Sequence, residues 1–319
     1  MAIALVFPGQ GSQAVGMGAE LAKTYPSAKA VFDEVDAALG QKLSEVMWNG
    51  PIETLTLTEN AQPALMAVSL ATMRVLEAEK GLDLARHVKF VAGHSLGEYS
   101  ALAAAGAFSI TDAARLLKAR GKAMQAAVPV GQGAMAALLG VGLDVGTRLA
   151  EAAMVGAAPG EVCQVANDNE PTQVVISGSK TAVERAGTLA KGLGVRRFMP
   201  LNVSAPFHCA LMQPAAEAMA RELAKVAVQR PRVALVANVP ASAIAEPDEI
   251  VKRLIEQVTA TVRWRECVAY MAAHGINDIY EIGSGKVLSG LAKRIVPSMN
   301  AASIGTPSEI ELTSPAFTT

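Results

Sequence analysis

Cysteine, aromatic side chains and charge are all scarce in this 319-residue chain, and each shortage closes off a class of protein. The three cysteines, Cys163, Cys209 and Cys267, are odd in number, widely spaced and form no CxxC pair. Neither a disulfide framework nor a zinc knuckle is therefore expected. Aromatic residues make up 4% and charged residues 18%, with 28 basic against 29 acidic. A net charge of -1 supplies no field to steer a polyanion. Few rings remain on which bases could stack, so nucleic acid is not an expected partner. Long apolar runs are missing too. The nearest, residues 126–143, is interrupted by Pro129, Gln132 and four glycines, so no membrane span is expected. The apolar start, Met1 to Phe7, lacks a basic stretch and stops at Pro8-Gly9, which suits an opening strand better than a signal peptide. Together these absences point to a cytoplasmic protein with reduced thiols.

What the chain has in quantity is apolar residues, 51% of the total, over a length that allows roughly two domains. Short apolar runs at 2–7, 88–92, 233–237 and 278–282 read as strands. They alternate with amphipathic stretches at 27–39, 64–80, 96–105, 112–127, 214–226 and 247–258, the pattern of an α/β fold with parallel strands. Residues 133–201 follow another rhythm: strand 134–139, helix 145–154, strands 162–166 and 173–177, helix 181–193, strand 196–200. That is the βαββαβ order of a ferredoxin-like unit. The expectation is one catalytic domain made from residues 1–130 and 202–305, interrupted by a small domain at 131–201. A tail at 306–319, rich in Ser, Thr and Pro, is expected to fray.

The sharpest local signal is Gly93-His94-Ser95-Leu96-Gly97. An apolar strand runs into it and a helical stretch leaves it, the setting of a nucleophile elbow, in which Ser95 attacks and the helix N-terminus steadies an oxyanion. A plain strand-to-helix turn with Ser95 as N-cap is the alternative. A serine needs a base. His208, in the Pro206-containing loop where the chain returns from the small domain, borders the expected cleft; His87, His94 and His274 are less well placed. Arg120 falls on the apolar stripe Ala113, Leu116, Leu117, Met124, whereas Arg115, Lys118 and Lys122 face solvent. An arginine cannot shed its charge, so Arg120 demands either a buried carboxylate or the carboxylate of a substrate. Gly9-Gln10-Gly11-Ser12-Gln13-Ala14 fits G-x-G-x-x-A, but the acidic residue a dinucleotide site needs would be Asp33, inside a helical pattern. Gly283-Ser284-Gly285-Lys286 lacks the full phosphate-loop pattern.

Taken together, Phe7-Pro8-Gly9-Gln10-Gly11-Ser12-Gln13, Gln62-Pro63-Ala64, the Gly93 to Ala101 segment, Arg120-Gly121-Lys122, Phe207-His208-Cys209-Ala210-Leu211-Met212 and Gly285-Lys286-Val287-Leu288 resemble the malonyl-CoA:acyl carrier protein transacylases, in order and spacing, over nearly the full chain. The resemblance implies Ser95 as nucleophile, His208 as base and Arg120 as the partner of the malonyl carboxylate. It implies Gln10 and Leu96 as the backbone oxyanion hole and Gln257 as the carbonyl that orients the histidine. Phe207 and Met124 are expected to line the acyl pocket. The implied fold is an α/β-hydrolase-like parallel-sheet domain with the inserted ferredoxin-like unit. The implied partners are malonyl-CoA, a coenzyme A thioester, and acyl carrier protein in fatty acid biosynthesis, with no metal or cofactor, and the chain is expected to be a monomer. Ser284 stands where relatives often carry proline, so a local change is expected there. Candidate carrier-docking groups are Arg115, Lys118 and Lys122, or Lys191, Arg196 and Arg197. A serine hydrolase is the first alternative, a non-catalytic carrier-binding module the second, and a dinucleotide-dependent oxidoreductase the last.

Overall fold

Five consecutive apolar residues, Ile3–Phe7, form strand β1, and all five are buried. A strand apolar at every position must be covered on both faces, as in a parallel sheet flanked by helices. In the computed structural model, which describes residues 3–203 and 205–313, β1 lies inside a six-stranded sheet of order β10-β9-β1-β2-β7-β8. Its other strands are β2 (Val88–Gly93), β7 (Ala234–Ala237), β8 (Ser242–Ile244), β9 (Asp278–Ile282) and β10 (Asn300–Ile304). All pairs are parallel except the β7–β8 hairpin. Leu5 and Phe7 enter the larger core, and Ala4 and Val6 enter the core on the other face, beside Trp264 and Met271. Chain order reverses at β1, which places the open crevice at the carboxyl ends of β1, β2 and β9, where such sheets bind ligands.

The second sheet is antiparallel, of order β4-β5-β3-β6, from β3 (Gly133–Leu139), β4 (Cys163–Glu170), β5 (Gln173–Ser179) and β6 (Arg197–Pro200). Helices Leu143–Ala153 and Lys180–Leu189 complete the βαββαβ order. Side chains alternate along β3: Ala136 and Leu138 pack with those helices, and Met135 and Ala137 join the core of the main sheet. This is a mixed α/β fold with a four-stranded antiparallel subdomain.

Three expectations change. The helix expected from residue 64 begins at Thr58 and runs to Lys80 with Pro63 inside it, because tertiary packing buries every residue from Asn60 through Met73 and overrides the usual rule that proline ends a helix. Strands β8 and β10 carry too little apolar pattern to be read locally. In the expected frayed tail, Pro307–Leu312 is a helix: the Thr306 side chain caps Glu309 N–H, and Ile310 is fully buried. Ala2, Ser204 and 314–319, the ends of that strand, loop and tail, lie outside the described residues. Among the described residues no helix is long and apolar enough to cross a membrane.

Candidate active site

Strand β2 ends in a turn so tight that a Cβ on Gly93 would sit 1.9 Å from the carbonyl carbon of Gly97. Glycine at both ends of the pentapeptide is therefore a packing requirement. Between them Ser95 has φ 54°, the left-handed region that a side chain adopts only where its surroundings hold it. The hold comes from Asn238, just past β7: its Oδ1 accepts Ser95 N–H at 2.8 Å and its Nδ2 donates to Gly93 O at 2.8 Å. Nothing near Asn238 in sequence marks it for this task.

Ser95 Oγ lies 2.8 Å from His208 Nε2. On the other side of that ring, Nδ1 lies 2.9 Å from the carbonyl oxygen of Gln257, at the end of helix Pro247–Gln257. A carbonyl only accepts, so Nδ1 carries the proton and Nε2 offers a lone pair to the serine hydroxyl. No carboxylate is needed to fix this tautomer. Burial, followed by the nearby Arg120 charge, pushes the imidazole down to about 3, so it is a neutral acceptor at physiological pH.

Arg120 reaches the same point from helix Ile110–Ala126, which crosses helix Thr58–Lys80 closely enough that a Cβ on Gly121 would meet Glu59 Cα at 2.5 Å. That approach sets Arg120 Nη1 2.8 Å from Gln62 Oε1, and Nη2 lies 3.0 Å from Ser95 Oγ and 2.9 Å from Gln257 Oε1. The guanidinium also lies 5.8 Å from the Tyr99 ring, within cation–π range. Arg120 is 1% exposed, yet among the described residues it forms no ion pair, and its Nε has no hydrogen-bond partner. The buried carboxylate that would have satisfied it directly is not there. A buried cation held by amides, a hydroxyl and a ring retains a strong appetite for an anion.

These groups line a cavity of about 320 Å³. Gln10 and Leu96 border it, and among the described residues neither backbone N–H donates to a backbone carbonyl. The Gln10 loop is tethered from below, where Ser284 Oγ donates to Ser12 O at 2.8 Å. Met124 and Phe207 line the cavity, joined by Met135, Leu201 and Val203 from the segment carrying the small sheet. Asp33, the acidic residue of the dinucleotide alternative, pairs with Lys29 on the exposed face of helix Pro26–Leu39. The structure thus brings together Ser95, His208, Arg120, Gln257, Gln10, Leu96, Phe207 and Met124. Sequence reasoning missed Asn238, and quoted Gln62 and Glu98 within motifs without a task for either; Glu98 had a further signal, a charged residue in the first turn of a mostly apolar helix.

A strained serine at the carboxyl edge of a parallel sheet, bonded to a histidine and facing free amides, defines a class of proteins that move acyl groups through a serine ester. The chain belongs to the acyl transferase domain family, whose model matches residues 4–282. It is 48% identical over 305 residues to the malonyl CoA-acyl carrier protein transacylase of Escherichia coli strain K12, covering 96% of each chain. The solved acyl-carrier-protein-S-malonyltransferase of Bartonella henselae shares 52% identity at a TM-score of 0.95, with both chains fully covered. A malonyl-transacylase solved in complex with its type II PKS acyl-carrier protein shares 41% identity at a TM-score of 0.93, covering 98% of this chain and 99% of that one.

Proposed function

We propose that this protein transfers a malonyl group from malonyl-CoA to the phosphopantetheine thiol of acyl carrier protein, through a malonyl ester on Ser95, in the cytoplasm and in the service of fatty acid synthesis. Family membership supports the reaction class. The observation that carries the choice of acyl group is Arg120: a buried cation without a carboxylate partner among the described residues, within hydrogen-bond reach of the nucleophile.

The steps follow from the geometry. His208 Nε2 takes the Ser95 hydroxyl proton as Oγ attacks the thioester carbonyl. The N–H groups of Gln10 and Leu96 receive the oxyanion. The carbon–sulfur bond breaks, and His208 returns its proton to the departing coenzyme A thiolate. In the ester, Oγ is a poorer acceptor, which frees Arg120 to grip the malonyl carboxylate. That grip offsets the Arg120 charge, which after burial is the second cause holding His208 down, and in the second half His208 accepts the carrier thiol's proton. Met124 and Phe207 close the acyl pocket against bulkier groups.

In this reading residues 1–130 and 202–305 act as one catalytic unit, residues 131–201 as an insertion, and residues past 305 as an appendage. For the carrier, the small-sheet side is favoured. Lys118 is already engaged by Gln41 and Asn60, Arg115 donates to Ala38 O and Lys122 lies 4.0 Å from Glu59, whereas Lys191, Arg196 and Arg197 are exposed and form no ion pair among the described residues. Intact mass after mixing with malonyl-CoA tests the proposal. A malonyl adduct on the wild type that is absent from Ser95→Ala supports it; an adduct that persists in Ser95→Ala overturns it.

A further inference from the structure

Glu98 is a buried carboxyl that none of the transfer steps uses. It sits in the first turn of helix Gly97–Ala104, 1% exposed, directly behind the elbow. Its two oxygens accept from different parts of the molecule: Oε1 from the backbone N–H of Asn238, Oε2 from the side-chain Nε2 of Gln257. Gln257 Nε2 spends its other N–H on Ser95 O at 3.0 Å, which leaves Gln257 Oε1 for Arg120 Nη2 at 2.9 Å.

An amide side chain fits its site either way round, and its partners decide which way it lies. Turned over, Gln257 would present its NH2 to a guanidinium, which has only donors. Both Glu98 oxygens stand as acceptors to N–H groups, so Glu98 draws the nitrogen to its own side. We propose that Glu98 is a positioning residue for Arg120: by taking the Gln257 N–H it locks the amide oxygen toward the guanidinium, and so sets the geometry in which Arg120 meets the acyl carboxylate.

Glu98 is raised to about 8, burial outweighing the Asn238 and Gln257 donors and the Arg120 charge that pull it down. The other titratable groups facing it are Tyr99, on its own helix, and Cys267, on helix Trp264–Ala273. Arg120 is the one cation among these neighbours, and the Glu98 carboxyl and the guanidinium face each other across a single amide. The proposal is also specific about what Glu98 does not do. The His208 tautomer rests on the main-chain carbonyl of Gln257, which no side-chain substitution there removes.

The test is Glu98→Gln, which keeps the shape and loses one acceptor. A glutamine at this position faces two donors with a single oxygen. Asn238 N–H is fixed in the backbone, so the Gln257 side chain is the partner free to turn. Acylation of Ser95 by malonyl-CoA and by acetyl-CoA is timed by intact mass. The expected result is a malonyl-to-acetyl rate ratio lowered about tenfold, the size of one charge-assisted hydrogen bond, with no further fall when Glu98→Gln is added to Gln257→Ala. Equal loss for both acyl groups, which a general loosening of the elbow through Asn238 would give, overturns the proposal, as does a second fall in the Gln257→Ala background. Should Glu98→Gln not fold, Gln257→Ala alone decides: a lowered ratio supports the link through the amide, and an unchanged ratio removes it. The proposal rests on Arg120 as reader of the malonyl carboxylate. Failure of that reading shows separately, as a wild type that takes acetyl as readily as malonyl.

Discussion

The two sheets differ in what they ask of their residues. The parallel sheet is apolar on both faces and spends its precision at one edge, where β1 and β2 end side by side, with Phe7 in register with Gly93. There a strained serine, two N–H groups and a bare imidazole nitrogen converge. The antiparallel sheet contributes none of these groups. Its contribution is a wall and a joint. Met135 and the Leu201–Val203 stretch beyond β6 face the cavity, while the polar end of β4 docks on the main sheet's side of the molecule. Asp168 N–H donates to Val262 O at 2.9 Å, Val262 N–H donates to Ala166 O at 2.9 Å, and the buried Asp168 carboxylate meets Arg265 at 2.8 Å. Asn169 reaches His94, the neighbour of the nucleophile, at 2.9 Å. Nucleophile, base and buried arginine are placed on the side whose backbone is most constrained, and the small sheet adds wall residues and the joint.

This contrast can be broken by experiment, beginning where the largest effect is expected. Arg120→Ala removes a buried charge from the parallel-sheet side and should cut malonyl transfer by roughly 10²-fold or more, with acetyl acylation affected far less. Steady-state rates with the two thioesters check this, and an unchanged preference would sink the assignment of Arg120. A moderate effect belongs to the other sheet. Reversing Lys191 and Arg197 to glutamate should raise the KM for acyl carrier protein by roughly three- to tenfold, more at low salt, and leave acylation by malonyl-CoA alone. If carrier-dependent transfer is untouched, the docking face lies elsewhere.

The smallest change is expected from acid. His208 is depressed from 6.5 to about 3, so within the folded protein the base stays neutral as pH falls through the ordinary imidazole range. From about pH 7 to about pH 5.5, kcat/KM should fall by less than about twofold on account of this group. An activity midpoint near the free-imidazole value would show that the site is wetter than the geometry implies. Stability is more sensitive to acid than activity is. Below 6.5 the unfolded chain takes up a proton that folded His208 refuses, so His208's contribution to stability falls with pH across that window.

Much of the scaffold was legible because it is written in consecutive residues. The unbroken apolar run of β1 announced a strand covered on both faces, and the stripe carrying Arg120 announced a cation turned inward. The βαββαβ order of the small sheet was readable strand by strand, with ends shifted by up to four residues. Strand β10, Asn-Ala-Ala-Ser-Ile, was not readable, because an edge strand of mixed polarity owes its existence to its neighbour β9. The helix from Thr58 was shortened in the reading by Pro63, whose local cost is overridden by burial that the sequence does not display.

The site divides in the same way. Sequence alone determined the turn: two glycines at fixed spacing around a serine, between a strand and a helix, leave few backbone paths, and the side chain they expose is a nucleophile. It also determined that one arginine must be buried, through the period of its helix. Only the tertiary structure decided what that arginine meets. Gln62, Ser95 and Gln257 lie 58, 25 and 137 positions away from it, and Glu98 lies 159 positions from the Gln257 amide it orients. Hydrogen bonds over such separations depend on strand order and helix crossings, which no window of neighbouring residues records. The chemistry of each group is local, and which groups face one another is a property of the whole fold.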